Sequence, residues 1–482
     1  MIKIVGFLNG IIWSKALIYL CLGVGVYFSV VTRFLQVRHF KHMLKLLFVG
    51  ESSEKGVSSF QALAISISGR VGTGNIAGVA TAIALGGPGA LFWMWMIAFL
   101  GAGSAFVESV LAQLYKTEQD GQYRGGPAYY IEKGLKMKGF ALAFAIATFI
   151  AVGILMPGTQ SNSISAAIDN AFGISPMISG GAIILFFAIT IFGGVKRIGR
   201  VAELVAPFMA AGYILMALII IGLNIDKLPG VIGLVFSSAF NLRPAFSGIF
   251  GMAIAWGVKR GIYSNEAGQG TGPHPAAAAE VSHPAIQGLV QAFSVYIDTL
   301  FVCSATGFMI LITGMYNVYD NKGGFIHEAL PGVEIGPAYT QAAVESVFPA
   351  IGPAFVAVAL TLFAFTSLLA YYYIAECNAA YLEKKFGTKG FINALRVLMI
   401  IATYYGSVKT AALAWGMADL GVGLMAWMNI VAIVLLRKPA LAILKDYEAK
   451  LSSGRENEMF DPRDIGVEGA DFWEKDINRK AI

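Results

Sequence analysis

Apolar residues run along this chain in blocks of about twenty, the length an α-helix needs to cross a bilayer. The blocks lie near 16–33, 58–84, 89–115, 139–170, 177–194, 204–223, 245–275, 284–314, 351–383, 391–406 and 411–436. They are rich in Gly and Ser and lack short alternating segments, so they predict transmembrane helices and not a barrel. One N-terminal span is followed by ten more, which divide into five over 58–223 and five over 245–436. Ahead of them, MIKIVGFLNGIIWSK spaces its apolar residues at helical intervals and lacks a small-residue cleavage site after a full apolar core, which predicts a short interfacial helix.

The second block is interrupted at mid-membrane. Leu63 to Ile67 lead in and Ile76 to Leu85 lead out, with GRVGTGN (69–75) between them. Glycine costs about 1 kcal/mol relative to alanine inside a helix, so Gly69, Gly72 and Gly74 predict an unwound segment. Free backbone groups at that depth must line a cavity or bind something. Close helix packing also uses glycine, but packing has no need of Arg70, Thr73 and Asn75 in the same stretch. The run Gly72-x-Gly74-x-x-Ala77 also fits a dinucleotide fingerprint, which requires an acid about twenty positions on. LFWMWMIAFLG (91–101) has none, and that reading fails.

Loop charges orient the spans. Arg33, Arg38, Lys41, Lys45 and Lys55 precede the second span, whereas the next connection, Gly86-Gly87-Pro88, has no basic residue. Lys116, Arg124, Lys133, Lys136 and Lys138 are then followed by the uncharged 171–176, and Lys196, Arg197 and Arg200 by a loop with only Lys227 and Arg243. Lys384, Lys385, Lys389 and the tail from Arg437-Lys438 fall on the same side as the clusters. The N-terminus is therefore expected outside and the C-terminus in the cytoplasm, and a five-span unit repeated after an odd number of spans is inverted. An inverted repeat predicts a second break in the first helix of the second half. SNEAGQGTGPHP (264–275) supplies it, with Gly268, Gly270, Gly272, Pro273 and Pro275. Breaks at matching positions of two halves point to a transport site, where exposed backbone and half-helix ends hold a small zwitterion and a cation.

Composition agrees: 57% of the 482 residues are hydrophobic and 13% charged, too apolar for a soluble protein of this size. The formal charge of +6 sits mostly in loops beside spans and does not indicate nucleic acid. Cys21, Cys303 and Cys377 fall in apolar spans as small core residues. His39 and His42 share a basic loop, and His274, His283 and His327 are scattered, so no zinc spacing exists.

Several polar residues stand inside spans. In AFTSLLAYYYIAEC (364–377), Thr366 and Ser367 place adjacent hydroxyls in an apolar helix. Such oxygens suit a small alkali cation, or bond back to an earlier carbonyl of their own helix. Gln160 and Asn162 lie just after Pro157-Gly158, which can loosen the span. They can bind substrate or tie helices together. Glu108, Asp298, Glu266 and Glu376 are acids within or at the ends of spans, and buried charges are paired or functional. Arg70 with Asp298, and Lys259 and Arg260 with Glu266, are the expected ion pairs. Trp93, Trp95, Tyr372 and Tyr373 read as packing or interface anchors. Tyr371, one turn past the hydroxyl pair, reads as a ligand contact.

VGTGNIAGVATAIALGGPGALFWMW, WGVKRGIYSNEAGQG, GLVQAFSVYIDTL and FTSLLAYYYIAEC resemble the alanine or glycine:cation symporter family of bacteria and archaea. The likeness runs through nearly all of 15–440. It implies a leucine-transporter-type fold of two inverted five-helix repeats, and amino-acid uptake coupled to Na⁺ or sometimes H⁺, with no covalent chemistry and no cofactor. It also implies a substrate site of Gly72, Thr73, Gly74 and Asn75, with the carboxylate on the amides of Thr73 and Gly74. Asn265, Gly268, Gln269 and Gly270 would face the ammonium group, and Gln160 and Tyr371 would close the wall. The implied sodium site is made of the carbonyls of Ser68, Val71 and Phe363 and the hydroxyls of Thr366 and Ser367. Family members often have Gly-Trp after the hydroxyl pair, where this chain has Ala370-Tyr371, Asn where it has Pro157, and another run where it has TGPHP. These departures concern the pocket wall and admit glutamine or another larger neutral amino acid.

The expectation is a sodium-coupled importer of alanine or glycine in a prokaryotic plasma membrane. A proton-coupled carrier is the alternative of the same class, and a channel or a non-transporting sensor those of another class. The parts are 1–57 (interfacial helix, first span and basic loop), 58–223 (first repeat), 224–440 (outer loop and second repeat) and 441–482 (a polar tail, part surface helix and part flexible end).

Overall fold

The computed structural model describes residues 1–47, 56–192, 194–320, 322–456 and 458–474, without the side chains of 194–196 and 244. Lys55, the Lys196 side chain and the last residues of the tail thus lie outside the described residues. Helix α1 (Ile2–Ile12) meets α2 (Lys15–Val31) at a 44° bend, and the basic segment forms short helices α3 (Leu35–Arg38) and α4 (Phe40–Leu46). A reciprocal cap opens α5 (Ser59–Arg70): the Ser58 hydroxyl accepts from the Gln61 amide while the Gln61 side chain accepts from the Ser58 amide. The chain then leaves helical geometry, re-enters through a π turn at Gly74–Gly78, and continues as α6 (Val79–Gly86) and α7 (Gly89–Leu114).

The connection after α7 is structured, with hairpin β1 (Thr117–Gln119)–β2 (Gln122–Arg124) and α8 (Pro127–Gly134). The next span is α9 (Lys138–Ile150), a π turn at Ala151–Leu155 and α10 (Pro157–Phe172). The loosening expected at Pro157-Gly158 occurs one turn earlier. Gly158 serves close packing instead: a Cβ at Gly406 would overlap the Gly158 backbone. Helices α11 (Pro176–Ile191) and α12 (Gly194–Leu223) complete the first half. The loop expected before the second half contains α13 (Leu228–Ala239), packed on α7.

The second half opens with α14 (Phe250–Asn265), breaks over 266–272 and resumes as the short α15 (Pro273–Ala278). It continues with α16 (Pro284–Tyr296), a π turn at Ile297–Cys303, α17 (Ser304–Thr313), hairpin β3 (Asn317–Tyr319)–β4 (Phe325–Glu328) and α18 (Pro337–Glu345). Helices α19 (Gly352–Phe386), α20 (Phe391–Ser407), α21 (Ala411–Leu435) and α22 (Arg437–Ser452) follow. Among the described residues, six helical segments are long and apolar enough to cross a bilayer, and the bent α1–α2 pair makes a seventh. The two broken spans do not count there because their breaks divide them. Helices α11 and α12 expose Leu185, Phe186, Phe208 and Leu215, an apolar belt that lipid covers in a multi-pass membrane protein.

The tail departs from the flexible end expected of it, at least as far as Glu474. Trp473 is fully buried and its indole donates to the Gln113 carbonyl at 2.9 Å, while Phe460 packs edge-on against it. Helix α22 is tied to the start of α16 by His283, whose Nδ1 accepts from the Ala285 amide at 3.1 Å and whose Nε2–H donates to Asp446 at 2.9 Å. Burial holds the His283 imidazole below its ordinary pKa. Burial alone would raise Asp446, but hydrogen bonds from His283 and Lys450 leave it below the usual carboxylate range. Both folded-state values are depressed, so this stability is complete above the unfolded values and fades as pH falls, beginning near about 6.5 for the imidazole. Hydrogen exchange at Ala285 and Ile286, corrected for intrinsic rates, is expected to accelerate between about pH 7.5 and 5.5. His283→Asn, which keeps a cap acceptor and does not titrate, is expected to flatten that dependence; an unchanged slope would refute it.

Candidate functional site

The first break owes its shape to Asn75. Inside a continuous helix the Gly72 amide would bond the Ser68 carbonyl and the Asn75 amide would bond that of Val71. Here the Gly72 amide donates to Asn75 Oδ1 at 2.8 Å and the Asn75 amide turns to the Gly72 carbonyl at 3.2 Å. The carbonyls of Ser68 and Val71 lose their helical donors.

Both point toward α19. Ser367 Oγ lies 2.9 Å from the Ser68 carbonyl, 3.5 Å from that of Val71 and 3.0 Å from that of Phe363, and Thr366 Oγ1 lies 2.9 Å from the Phe363 carbonyl. A hydroxyl has one proton to donate, so these carbonyls keep unused lone pairs. Three carbonyls and two hydroxyls, all neutral hard oxygens, make a donor set that fits an alkali cation. Among the described residues no group of three His, Cys, Asp or Glu could hold a metal ion.

Beside this set the Thr73 amide donates to Gln160 Oε1 at 3.1 Å, and Gln160 Nε2 donates to the Tyr371 hydroxyl at 3.2 Å. Gly72 is the point of closest approach. A Cβ there would overlap Ser367 Oγ and stand 3.1 Å from Gln160 Oε1. Gly74 lies against Tyr263 and Ser264 of α14. The structure therefore joins the first break, Gln160, Tyr371 and Ser367 in one buried cluster, while the Thr366 hydroxyl bonds back to the Leu362 and Phe363 carbonyls of its own helix at 3.1 and 2.9 Å.

The second break turns on residues with positive φ: Glu266 at 57°, Gly268 at 77° and Gly270 at 91°. Its near end meets the first break, with Asn265 donating to Thr299 and a Glu266 carboxylate oxygen 3.4 Å from where a Gly69 Cβ would stand. Its far end is held elsewhere. The Gly268 amide donates to Glu108 at 3.1 Å, the Gly268 carbonyl accepts from Asn429 at 2.9 Å, and Asn429 also donates to Glu108 at 2.7 Å and accepts from Tyr130. Gly270 packs on Asn429 and Phe144. Gln269 is fully buried with neither side-chain polar atom partnered.

The expected ion pairs are replaced. Asp298 accepts from Asn75 at 2.6 Å, Ser264 at 3.0 Å and Thr299 at 2.7 Å, so neutral donors from both broken helices meet one carboxylate. Arg70 donates to the Gln291 carbonyl at 3.2 Å and to the Ser294 hydroxyl, its direction set by the small Gly272, where a Cβ would lie 2.8 Å from the guanidinium. Lys259 and Arg260 pair with Asp419 at 2.7 and 2.9 Å, not with Glu266, because Glu266 sits past the end of α14 in left-handed geometry. Asp419 and Asn429 went unassigned in the sequence, although an isolated polar residue inside an apolar span was the available signal.

Two inverted helical repeats, each opened by a broken helix, with uncoiled backbone meeting a hydroxyl pair at the centre, define a secondary transporter and not an enzyme. The description "Sodium:alanine symporter family" matches residues 1–462, and the chain belongs to that family. It is 63% identical over 481 residues to the "Putative sodium/proton-dependent alanine carrier protein YrbD" of Bacillus subtilis (strain 168), covering 100% of this chain and 99% of that protein. It is 44% identical over 94% of its length, and 92% of the other's, to the "Probable sodium/glutamine symporter GlnT" of the same organism. Among solved structures, a substrate-bound, outward-open Na⁺-coupled sialic acid symporter superposes with a TM-score of 0.50 over 97% of each chain at 14% identity, a likeness of fold.

Proposed function

We propose that the chain imports alanine, or another small neutral amino acid, together with Na⁺ by alternating access. One observation carries this reading: the Ser68 and Val71 carbonyls, released by the first break, meet the Ser367 hydroxyl of α19 at 2.9 and 3.5 Å, next to Thr366 in the chain. A cation there offsets converging carbonyl dipoles and fixes α5 against α19. The substrate carboxylate takes the amides of Thr73 and Gly74, with Gln160 yielding the bond it now makes to Thr73. The backbone at Asn265, the near end of the second break, faces the ammonium group, whereas Gly268 and Gly270, expected beside it, are held at the far end by Glu108, Asn429 and Phe144. Cation and substrate share the Val71–Asn75 segment, so each raises the other's affinity equally.

The parts 1–57, 58–223, 224–440 and 441–482 belong to this reading, as do an outer N-terminus and a cytoplasmic C-terminus. A second reading, glutamine as cargo, is favoured by Tyr371, whose hydroxyl gives the wall a polar contact. Uptake of radiolabelled alanine into proteoliposomes under an inward Na⁺ gradient, with unlabelled glycine and glutamine as competitors, decides. Na⁺-driven alanine uptake resisting glutamine is expected. Glutamine uptake alone would overturn the cargo, and uptake driven only by a pH gradient would overturn the ion.

A further inference from the structure

In the segment that holds α3 and α4, the exposed residues Phe34, Val37, Phe40 and Leu44 recur every three or four positions, with Arg33, Arg38, Lys41 and Lys45 between them. Apolar and basic residues interleaved in this way suit a segment lying in the plane of a membrane surface. The positive-inside rule assigns that surface to the cytoplasmic side, where the leaflet is anionic. A cavity of about 530 Å³ opens between this segment, α7 and the end of α16. Phe99, Tyr296 and Leu300 give it apolar walls, and Arg38 and Lys41 line it as well. Phe301, the neighbour of Leu300, is exposed, which turns this flank of the bundle toward lipid.

The cations here outnumber their acceptors. One carboxylate, Glu448 of α22, serves Arg33, Arg38 and His39 at 2.5, 2.6 and 3.0 Å. Arg38 uses Nε on the Arg33 carbonyl and Nη2 on the Thr32 carbonyl and Glu448, which leaves Nη1 idle among the described residues. Lys41 has no hydrogen-bonding or ionic partner among them. Gln36, buried in the cavity wall, donates to the Ser29 hydroxyl at 2.8 Å and leaves its own Oε1 without a partner. An inorganic anion would satisfy the cations and leave the apolar walls bare. A cavity of this size fits a larger ligand, one with an apolar body joined to an anionic head.

We propose that the cavity binds a phosphatidylglycerol-type phospholipid of the inner leaflet. Its phosphate lies on Lys41 and Arg38 Nη1, a head-group hydroxyl donates to Gln36 Oε1, and an acyl chain covers Phe99, Tyr296 and Leu300. The site is apart from the central cluster but touches an element that supports it. Tyr296 precedes, and Leu300 belongs to, the π turn Ile297–Cys303, which brings Asp298 and Thr299 to Asn75, Ser264 and Asn265. A lipid packed on Tyr296 and Leu300 restrains that turn, and through it the two broken helices.

Native mass spectrometry of the full chain in detergent, titrated with dioleoyl-phosphatidylglycerol or dioleoyl-phosphatidylcholine, tests the site. The anionic lipid is expected to bind at least about tenfold more tightly, the scale of one charge-assisted contact. Lys41→Gln, which breaks no bond among the described residues, is expected to remove most of that preference. Lys45→Gln, an equal loss of charge on the same segment but outside the cavity, is expected to keep it. Equal affinity for the two lipids, or equal effects of the two variants, would overturn the site and leave general surface charge. Phosphatidylmethanol, with the same charge and no head-group hydroxyl, is expected to bind more weakly; equal binding would overturn the contact to Gln36. Displacement of the lipid by free glycerol phosphate would reduce the cavity to an anion site and overturn the acyl chain's part. In nanodiscs, phosphatidylglycerol is expected to slow hydrogen exchange over Ile297–Cys303 in the wild type and not in Lys41→Gln, and exchange indifferent to the lipid would overturn the link to the turn. Neither readout uses substrate or Na⁺, so the lipid site stands or falls apart from the transport reading.

Discussion

Ser367→Ala is expected to raise the Na⁺ concentration for half-maximal uptake about 10- to 100-fold. The variant removes the hydroxyl that lies within 3.5 Å of three carbonyls. Losing one oxygen contact to a charged group costs about 1.5–3 kcal/mol, and each 1.4 kcal/mol is about a factor of ten. Linkage requires alanine affinity at fixed, subsaturating Na⁺ to fall with it, and saturating Na⁺ to restore most of the rate. Thr366→Ala is expected to act in the same direction, while Thr366→Ser keeps the hydroxyl and much of the coupling. A Na⁺ dependence unchanged in Ser367→Ala, with the protein folded, would remove the cation from this position.

Gly72→Ala is expected to lower uptake about 100-fold at low alanine while leaving expression near normal. The added methyl would overlap Ser367 Oγ and stand 3.1 Å from Gln160 Oε1. The cheapest relief is rotation of Ser367, which withdraws the cation contact and costs about 1.5–3 kcal/mol of binding. Gln160 must shift as well, and overpacking adds about 1–3 kcal/mol. One substitution therefore disturbs cation and substrate together, and both affinities are expected to fall in direct binding. Gly139→Ala, where nothing lies within 4 Å, is the control. Wild-type affinities in Gly72→Ala would mean that the two helices are not so close in the working protein.

The spans, their breaks and the hydroxyl pair were legible because each is a local signal. An apolar block needs only its own length to declare a helix, and glycines at mid-membrane declare unwound backbone wherever the neighbours are. The structured connections were less visible. Hairpin β1–β2 is too short to show a period, helix α13, at 12 residues, is too short to declare a span, and the docking of Trp473 depends on Gln113, 360 residues earlier. The ion pairs went astray for a related reason. Lys259 and Arg260 adjoin Glu266 in sequence, but the chain turns away at Asn265 and brings α21 against α14, so Asp419 takes both.

The amino-acid sequence by itself determined the class of molecule and the inverted repeat, because apolar length, loop charge and glycine cost act within a few helical turns. Only the tertiary structure decided who meets whom. It set Asp298 among Asn75, Ser264 and Thr299, sent the far end of the second break to Glu108 and Asn429, and paired Arg260 with Asp419. Those partnerships join residues up to hundreds of positions apart, and a buried charge is satisfied by whatever packing brings to it, not by its neighbours along the chain.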